Sequence, residues 1–265
     1  MSTVTRALGY PGMAPLRWLW AWVRITFFGA AMLVRALSPS SYGPEMRQNL
    51  ARHIYMDTVP ILAWFTILTA LFTIIITRIV LVTANSYGLS QYALEMVVRV
   101  LVIELIPIGA ALFVALRCTI PSGAALFDIR RVGHFRKLRR QRLDPVTVEV
   151  LPRLLAGIFS TITLAALSCV VSMIVCYYAV YGFTAAGIQP YTRIFGHVFE
   201  PVVTFLFVLK TMFFALAVSV IPMASALYNV EGDDHQRESA ALQGLVRMFG
   251  VLLVLEALSL VGNYI

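Results

Sequence analysis

Residues 126–144 read LFDIRRVGHFRKLRRQRLD. Seven Arg and Lys fall between Leu126 and Leu143, with long apolar segments on either side. A run of this kind is a solvated loop, or it is an element that docks on a partner or on anionic lipid. The segments around it decide which. Of the 265 residues, 60% are hydrophobic and 13% charged, and mean hydropathy is +0.83. Soluble domains carry about a quarter charged residues, so the chain reads as a membrane protein. The formal net charge of +8 sits between apolar segments rather than on a soluble face, which argues against nucleic acid. It reads first as topology determinants and anionic-lipid contacts.

A helix needs about 20 apolar residues to span a bilayer. Four segments qualify readily, roughly 58–83, 92–117, 151–182 and 202–229, and a fifth, 240–262, carries one acid. The third and fourth exceed the minimum, so they tilt, bend or project, with Pro152 and Pro222 as bending points. The stretch APLRWLWAWVRITFFGAAMLVRAL, 14–37, is different. At about 100° per residue its Arg17, Arg24 and Arg35 fall on one narrow stripe, with Trp, Phe and Leu elsewhere. Such a helix suits the membrane surface, its rings in the interface and its guanidinium groups reaching phosphates. The alternative is a sixth crossing. Ser38-Pro39 ends the helix in either case. No cleavable signal peptide is expected.

The positive-inside rule orients the five spans. Six Arg precede residue 57 and the basic run lies in 118–150, whereas the loops 84–91 and 183–195 hold only Arg193 among Lys and Arg. The N-terminus and the basic connector therefore face the cytoplasm, and the C-terminus faces the far side. The expected architecture is an all-α integral membrane protein: residues 1–56 a cytoplasmic and interfacial region, residues 57–265 a five-span domain.

Three ionisable residues fall inside spans: Glu104 in the second, Lys210 in the fourth and Glu256 in the fifth. A charge at the centre of a membrane helix costs about 2.5–3.5 kcal/mol, so each is a functional candidate or a paired lock between helices. A Glu104–Lys210 pair is one possibility. Pro107 frees a backbone carbonyl three residues after Glu104 and can bend the helix. Glu95 and Arg99, four apart, can pair near the outer surface. Cys118, Cys169 and Cys176 read as packing residues. Enzyme chemistry finds no support: there is no His-Glu-x-x-His pair, nucleophile turn or Gly-rich phosphate loop. No catalytic residue, cofactor or metal is expected, and any ATP must be hydrolysed by another subunit.

The run ELIPIGAALFVALR, 104–117, resembles the E-L-G-P…A-G-R signature of MlaE/YrbE-type permeases. LDPVTVEVLPRLLAG, 143–157, resembles that family's V-D-P…P-R-x-x-A-G. The pattern runs without a gap from Glu104 to Gly157 and puts Glu104, Pro107, Arg117, Arg130, Asp144, Pro145, Pro152, Arg153, Ala156 and Gly157 on matching positions. YMDTVPILAWF, 55–65, and TANSYG, 83–88, are similar to the entrance of its first span and to its first outer loop.

The resemblance implies an interfacial helix and five spans, with a cytoplasmic coupling helix between spans two and three at about 121–143. It implies the permease subunit of an inner-membrane ABC transporter that moves phospholipid or another lipid to or from an Mce-type periplasmic partner. Its other partners would be an ABC ATPase and a second permease copy or paralogue. The lipid path or helix contacts would involve Glu104, Pro107, Arg117, Arg78, Lys210 and Glu256. ATPase coupling would fall to Arg130, Arg131, Arg136, Lys137, Arg139, Arg140, Arg142 and Asp144, and interfacial lipid contacts to Arg17, Arg24 and Arg35. The residue pair Asp144-Pro145 fits an N-cap and first helical residue for span three.

The departures concern charge. Three family glutamate positions fall on Ala125, Gly133 and Arg139, a glutamine falls on Arg78, and an aspartate falls on Glu256. Like charges across an interface cost free energy, so a reversed helix cannot dock on the same ATPase surface. Either the ATPase offers an acidic groove, or the segment lies partly on anionic lipid, or the chain is a divergent member working beside a more regular partner. A purely topogenic basic loop and a non-transporting scaffold or regulatory subunit are the alternatives.

Overall fold

A computed structural model describes the backbone of residues 14–228 and 234–264, and the side chains of 19–89, 92–228 and 242–262. Among the described residues every regular element is helical. Helix α1, Ala14–Leu37, is followed by a short turn at Pro39–Ser41 and by α2, Pro44–Ser86. One continuous run, Tyr92–Arg131, comes next. It divides into α3 (Ser90–Val97), a π-helical stretch (Val98–Leu105), α4 (Ile106–Val114), a π-turn (Ala115–Thr119) and α5 (Ile120–Arg131). After α6, His134–Arg140, a π-turn at Val146–Val150 leads into α7, Leu151–Tyr181. Helices α8 (Ile188–Val198), α9 (Pro201–Tyr228) and α10 (Asp234–Tyr264) complete the chain.

Six of these helices are long and apolar enough to cross a membrane. Five contain the segments read as spans, and the sixth is α1. At 1.5 Å per residue, the 43 residues of α2 reach about 65 Å, twice the hydrocarbon core. Its first turns therefore project beyond the bilayer. The 40-residue run through span two does the same and carries straight into the basic connector.

Spans one and three run side by side in the same direction, and hydroxyl contacts pin their register. Thr69 Oγ1 donates to Ser168 Oγ at 3.4 Å, Thr73 and Ser172 hydroxyls lie 2.8 Å apart, and Thr77 Oγ1 lies 4.0 Å from Cys176 Sγ. All three pairs share one sequence offset, as parallel helices require. Nearer the inner end, Thr58 and Ser160 are 2.7 Å apart. Hydroxyl contacts suit a membrane interior, where apolar side chains gain nothing by leaving lipid. Small residues let the backbones approach. A Cβ added at Gly157 would meet Ser219 Oγ of span four and Thr119 Cγ2 of span two, each at 2.8 Å. The three cysteines are free and buried, as packing residues should be.

The outer face of the bundle is apolar. Trp64, Ile67, Leu71 and Ile75 of α2 are exposed along one helical stripe, which in water would be a liability and in a bilayer is the ordinary lipid-facing surface.

Three elements differ from the sequence reading. The connector is two helices rather than one: α5 continues span two to Arg131, Gly133 at φ +80° makes the turn, and α6 ends at Arg140. The left-handed conformation is one that a glycine adopts without steric cost. The outer segment read as a loop contains α8, whose Tyr191, Phe195 and Val198 face inward. Its period-3.6 pattern was legible but short. Pro107 acts with the π-helical stretch before it, so span two changes its winding at Glu104 rather than breaking.

Candidate functional site

Glu104, Lys210 and Glu256 meet inside the bundle. Lys210 Nζ donates to Glu104 Oε2 and lies 2.8 Å from Glu256 Oε2. Glu104 and Lys210 are buried. One ammonium thus joins spans two, four and five. A buried charge is tolerated when it is paired and hydrogen-bonded, and here the ammonium has further partners. Its Nζ lies 3.5 Å from the carbonyl of Ile103 and 5.7 Å from the centre of the Phe214 ring. Ile103 is the residue whose carbonyl the N–H of position 107 would meet in an α-helix, and proline has none. The carbonyl that Pro107 leaves thus faces the lysine.

Arg117 and Arg78 do not join this cluster. Both side chains are exposed, Arg78 in the C-terminal half of α2 and Arg117 in the π-turn at the C-terminal end of span two. Among the described residues neither has a carboxylate within ion-pair distance. Next to Arg117, the Cys118 thiol donates to the carbonyl of Asp57 at 3.2 Å and pins span two to span one. Between those spans lies an apolar groove of about 450 Å³, lined by Phe65, Leu68 and Phe72 on one side and by Leu105, Gly109, Leu112 and Leu116 on the other. Near the outer end Arg99 Nε donates to Glu95 Oε1 at 3.3 Å, the expected i, i+4 pair.

The basic connector is amphipathic by construction. Leu126, Phe127 and Leu138 are buried against the bundle, whereas Arg131, Arg136, Lys137, Arg139, Arg140 and Arg142 are exposed. Val132 at the turn is 86% exposed. Arg130 is half-buried and donates through Nη1 to the carbonyl of Leu227 at the end of span four. Asp144 caps span three: its Oδ1 accepts from the Val146 N–H at 3.2 Å and its Oδ2 from the Thr147 hydroxyl at 2.8 Å. The same carboxylate lies 3.6 Å from Arg35 Nε.

The structure adds a network that the sequence reading left out. Buried Arg153 donates through Nη1 to Glu149 Oε2 at 2.7 Å and to the Glu149 carbonyl at 2.6 Å. Glu149 Oε1 lies 3.3 Å from His134 Nε2 at the start of α6. Asn49 Nδ2, on the projecting part of α2, donates to the carbonyl of Val148 at 3.2 Å. The connector is thereby tied to spans three and four, and the start of span three to α2. The i, i+4 spacing of Glu149 and Arg153 was the available signal, and His134 comes close only through the turn at Gly133.

Of the three arginines placed on α1, Arg24 stands over the Tyr228 ring at 5.7 Å and Arg35 reaches Asp144. The side chain of Arg17 lies outside the described residues.

Buried charges thus join spans two, four and five of one apolar bundle, and the basic connector is anchored to spans three and four. The family model described as Permease MlaE matches residues 50–261. The chain belongs to the MlaE permease family. The match runs from within α2 into α10 and leaves out all of α1. No curated protein matches the chain. As an MlaE permease, the chain is a multi-pass membrane protein and a transport subunit of the ABC class. Such permeases work with an ABC ATPase and Mce-type proteins in general.

Proposed function

We propose that this permease moves phospholipid or another lipid between the inner membrane and an Mce-type periplasmic partner, with a second copy or a paralogue facing it. The unbroken helix from Tyr92 to Arg131 carries this reading. It joins the charge cluster at the centre of the bundle to the basic connector. A push on the connector is carried along this continuous helical run to Glu104 and, through Arg130 and Glu149, to spans four and three. The exposed cations of α5 and α6 suit an acidic groove on the ATPase. The permease itself supplies the path and the coupling, and ATP hydrolysis belongs to the other subunit.

The N-terminus and connector face the cytoplasm in this reading, and the C-terminus faces the periplasm. Helix α1 lies along the inner surface. Arg24 meets Tyr228 at the inner end of span four, Arg35 meets Asp144 at the inner start of span three, and Gly29 between them packs on Val220, deeper in span four. Arg24 at the middle of α1 and Arg35 in its last turn thus contact inner ends of spans while Gly29 between them dips inward, as in a helix half-sunk in the headgroup layer.

Reconstitution tests the reading. The permease and its co-encoded ATPase, in phospholipid vesicles with the Mce-type partner, should hydrolyse ATP faster than the ATPase alone and should transfer labelled lipid to the partner. Hydrolysis equal to that of the ATPase alone, with no lipid transferred, would leave only a scaffold.

A further inference from the structure

The groove between spans one and two stops one residue short of Glu104 at one end of its span-two wall and one residue short of Arg117 at the other. Along span two it runs from Leu105 to Leu116, about 16 Å at 1.5 Å per residue. That is the depth of one leaflet of a hydrocarbon core about 30 Å thick. Its upper end abuts the level of Glu104. Its lower end is at Leu116, one residue before Arg117, and next to it the Cys118 thiol of span two donates to the Asp57 carbonyl of α2. Among its lining residues, Leu68, Phe72 and Leu116 are exposed, so it opens sideways to the bilayer. A Cβ built on Gly109 meets no atom within 4 Å, so the groove is open at its midpoint.

We propose that this groove is an inner-leaflet lipid slot, in which an acyl chain lies along spans one and two and the headgroup phosphate meets the guanidinium of Arg117. The proposal rests on the lipid-permease reading and on its orientation. It adds the leaflet, the two spans and the headgroup contact. The apolar lining holds a chain no more strongly than bulk lipid does, since lipid tails are as apolar as leucine. Selection must therefore come from the headgroup. Arg117 is suited to it: exposed, fixed on a pinned turn, without a carboxylate partner among the described residues, and able to make a bidentate contact with phosphate. A second copy of the chain seated on the same face would need an acidic or apolar counterpart for Arg117 and would leave its charge in a dry interface.

The test uses the full chain alone, in vesicles of phosphatidylcholine and phosphatidylglycerol that carry a diazirine-tailed phosphatidylglycerol as probe. Photolysis should attach the probe to residues in 65–72 and 105–116 well above the level at Ile174, a lipid-exposed position on span three. Gly109→Leu, which fills open space, should remove most of that labelling without lowering thermal stability. Arg117→Ala should lower it about fivefold, the effect of one surface cation, and Arg117→Lys should restore most of it. A diazirine-tailed diacylglycerol, which lacks the phosphate, should label the wild type no better than the phospholipid labels Arg117→Ala.

Labelling equal to that at Ile174, or unchanged in Gly109→Leu, would overturn the slot. So would disulfide capture between two Leu112→Cys chains, since a second copy would then occupy the face. Neither ATPase nor Mce partner takes part. Failure of lipid-stimulated hydrolysis therefore counts against the transport reading, whereas failure of labelling counts against this site.

Discussion

At the residue scale, Lys210 holds the centre of the bundle. Its ammonium pairs with both Glu104 and Glu256, and three spans meet at it. Removing one partner of a buried ionic group leaves uncompensated charge, which costs about 3–5 kcal/mol, whereas replacing the whole group by apolar or neutral side chains is much less costly. Lys210→Met should therefore destabilise the permease by about that amount, seen as a large drop in the thermal unfolding temperature in detergent. The triple change Lys210→Met, Glu104→Gln, Glu256→Gln should recover most of the loss. A single Lys210→Met variant as stable as wild type would show that the cluster holds nothing together. The acids and the lysine were legible from sequence because a charge in an apolar run is conspicuous. That all three meet at one point was not, because depth along a span says nothing about the direction a side chain faces.

At the element scale, the connector shows how charge and packing divide one segment. Leu126, Phe127 and Leu138 anchor it, Arg130 and His134 tie it to neighbouring spans, and the remaining cations point outward. Arg139→Glu together with Arg140→Glu reverses exposed charge without touching the anchors. This double variant should insert normally yet retain several-fold less ATPase on co-purification, and the loss should grow with ionic strength because exposed contacts are screened. Undiminished ATPase in the purified complex would remove the docking role. Composition had located the basic run, and the resemblance had suggested one coupling helix there. The turn at Gly133 depends on the backbone, where a single left-handed glycine redirects α6 so that His134 reaches Glu149. Helix α8 escaped notice for a related reason: eleven amphipathic residues between two spans are too short to stand out against their apolar flanks.

At the scale of the whole molecule, the topology decides the function, and it can be read by labelling. The native cysteines are buried, so single exposed cysteines report cleanly. An impermeant maleimide should label Phe183→Cys, at the outer turn before α8, in intact cells, and Val132→Cys, at the connector turn, only after permeabilisation. Trp20→Cys and Leu37→Cys, exposed at the two ends of α1, should both behave like Val132→Cys if α1 lies along the inner surface. Reaction from opposite sides would make α1 a sixth crossing.

Apolar length and the placement of Arg and Lys were enough, from sequence by itself, to establish a helical membrane protein, the positions of five of its six long apolar helices and the charged residues within them. The reason is that bilayer thickness and the cost of buried charge act on each segment separately. Only the tertiary structure decided that one lysine joins three spans, that hydroxyl pairs set the register of spans one and three, and that an apolar groove lies between spans one and two. Those features depend on which faces of different helices come together, and close packing settles that across segments far apart in the chain.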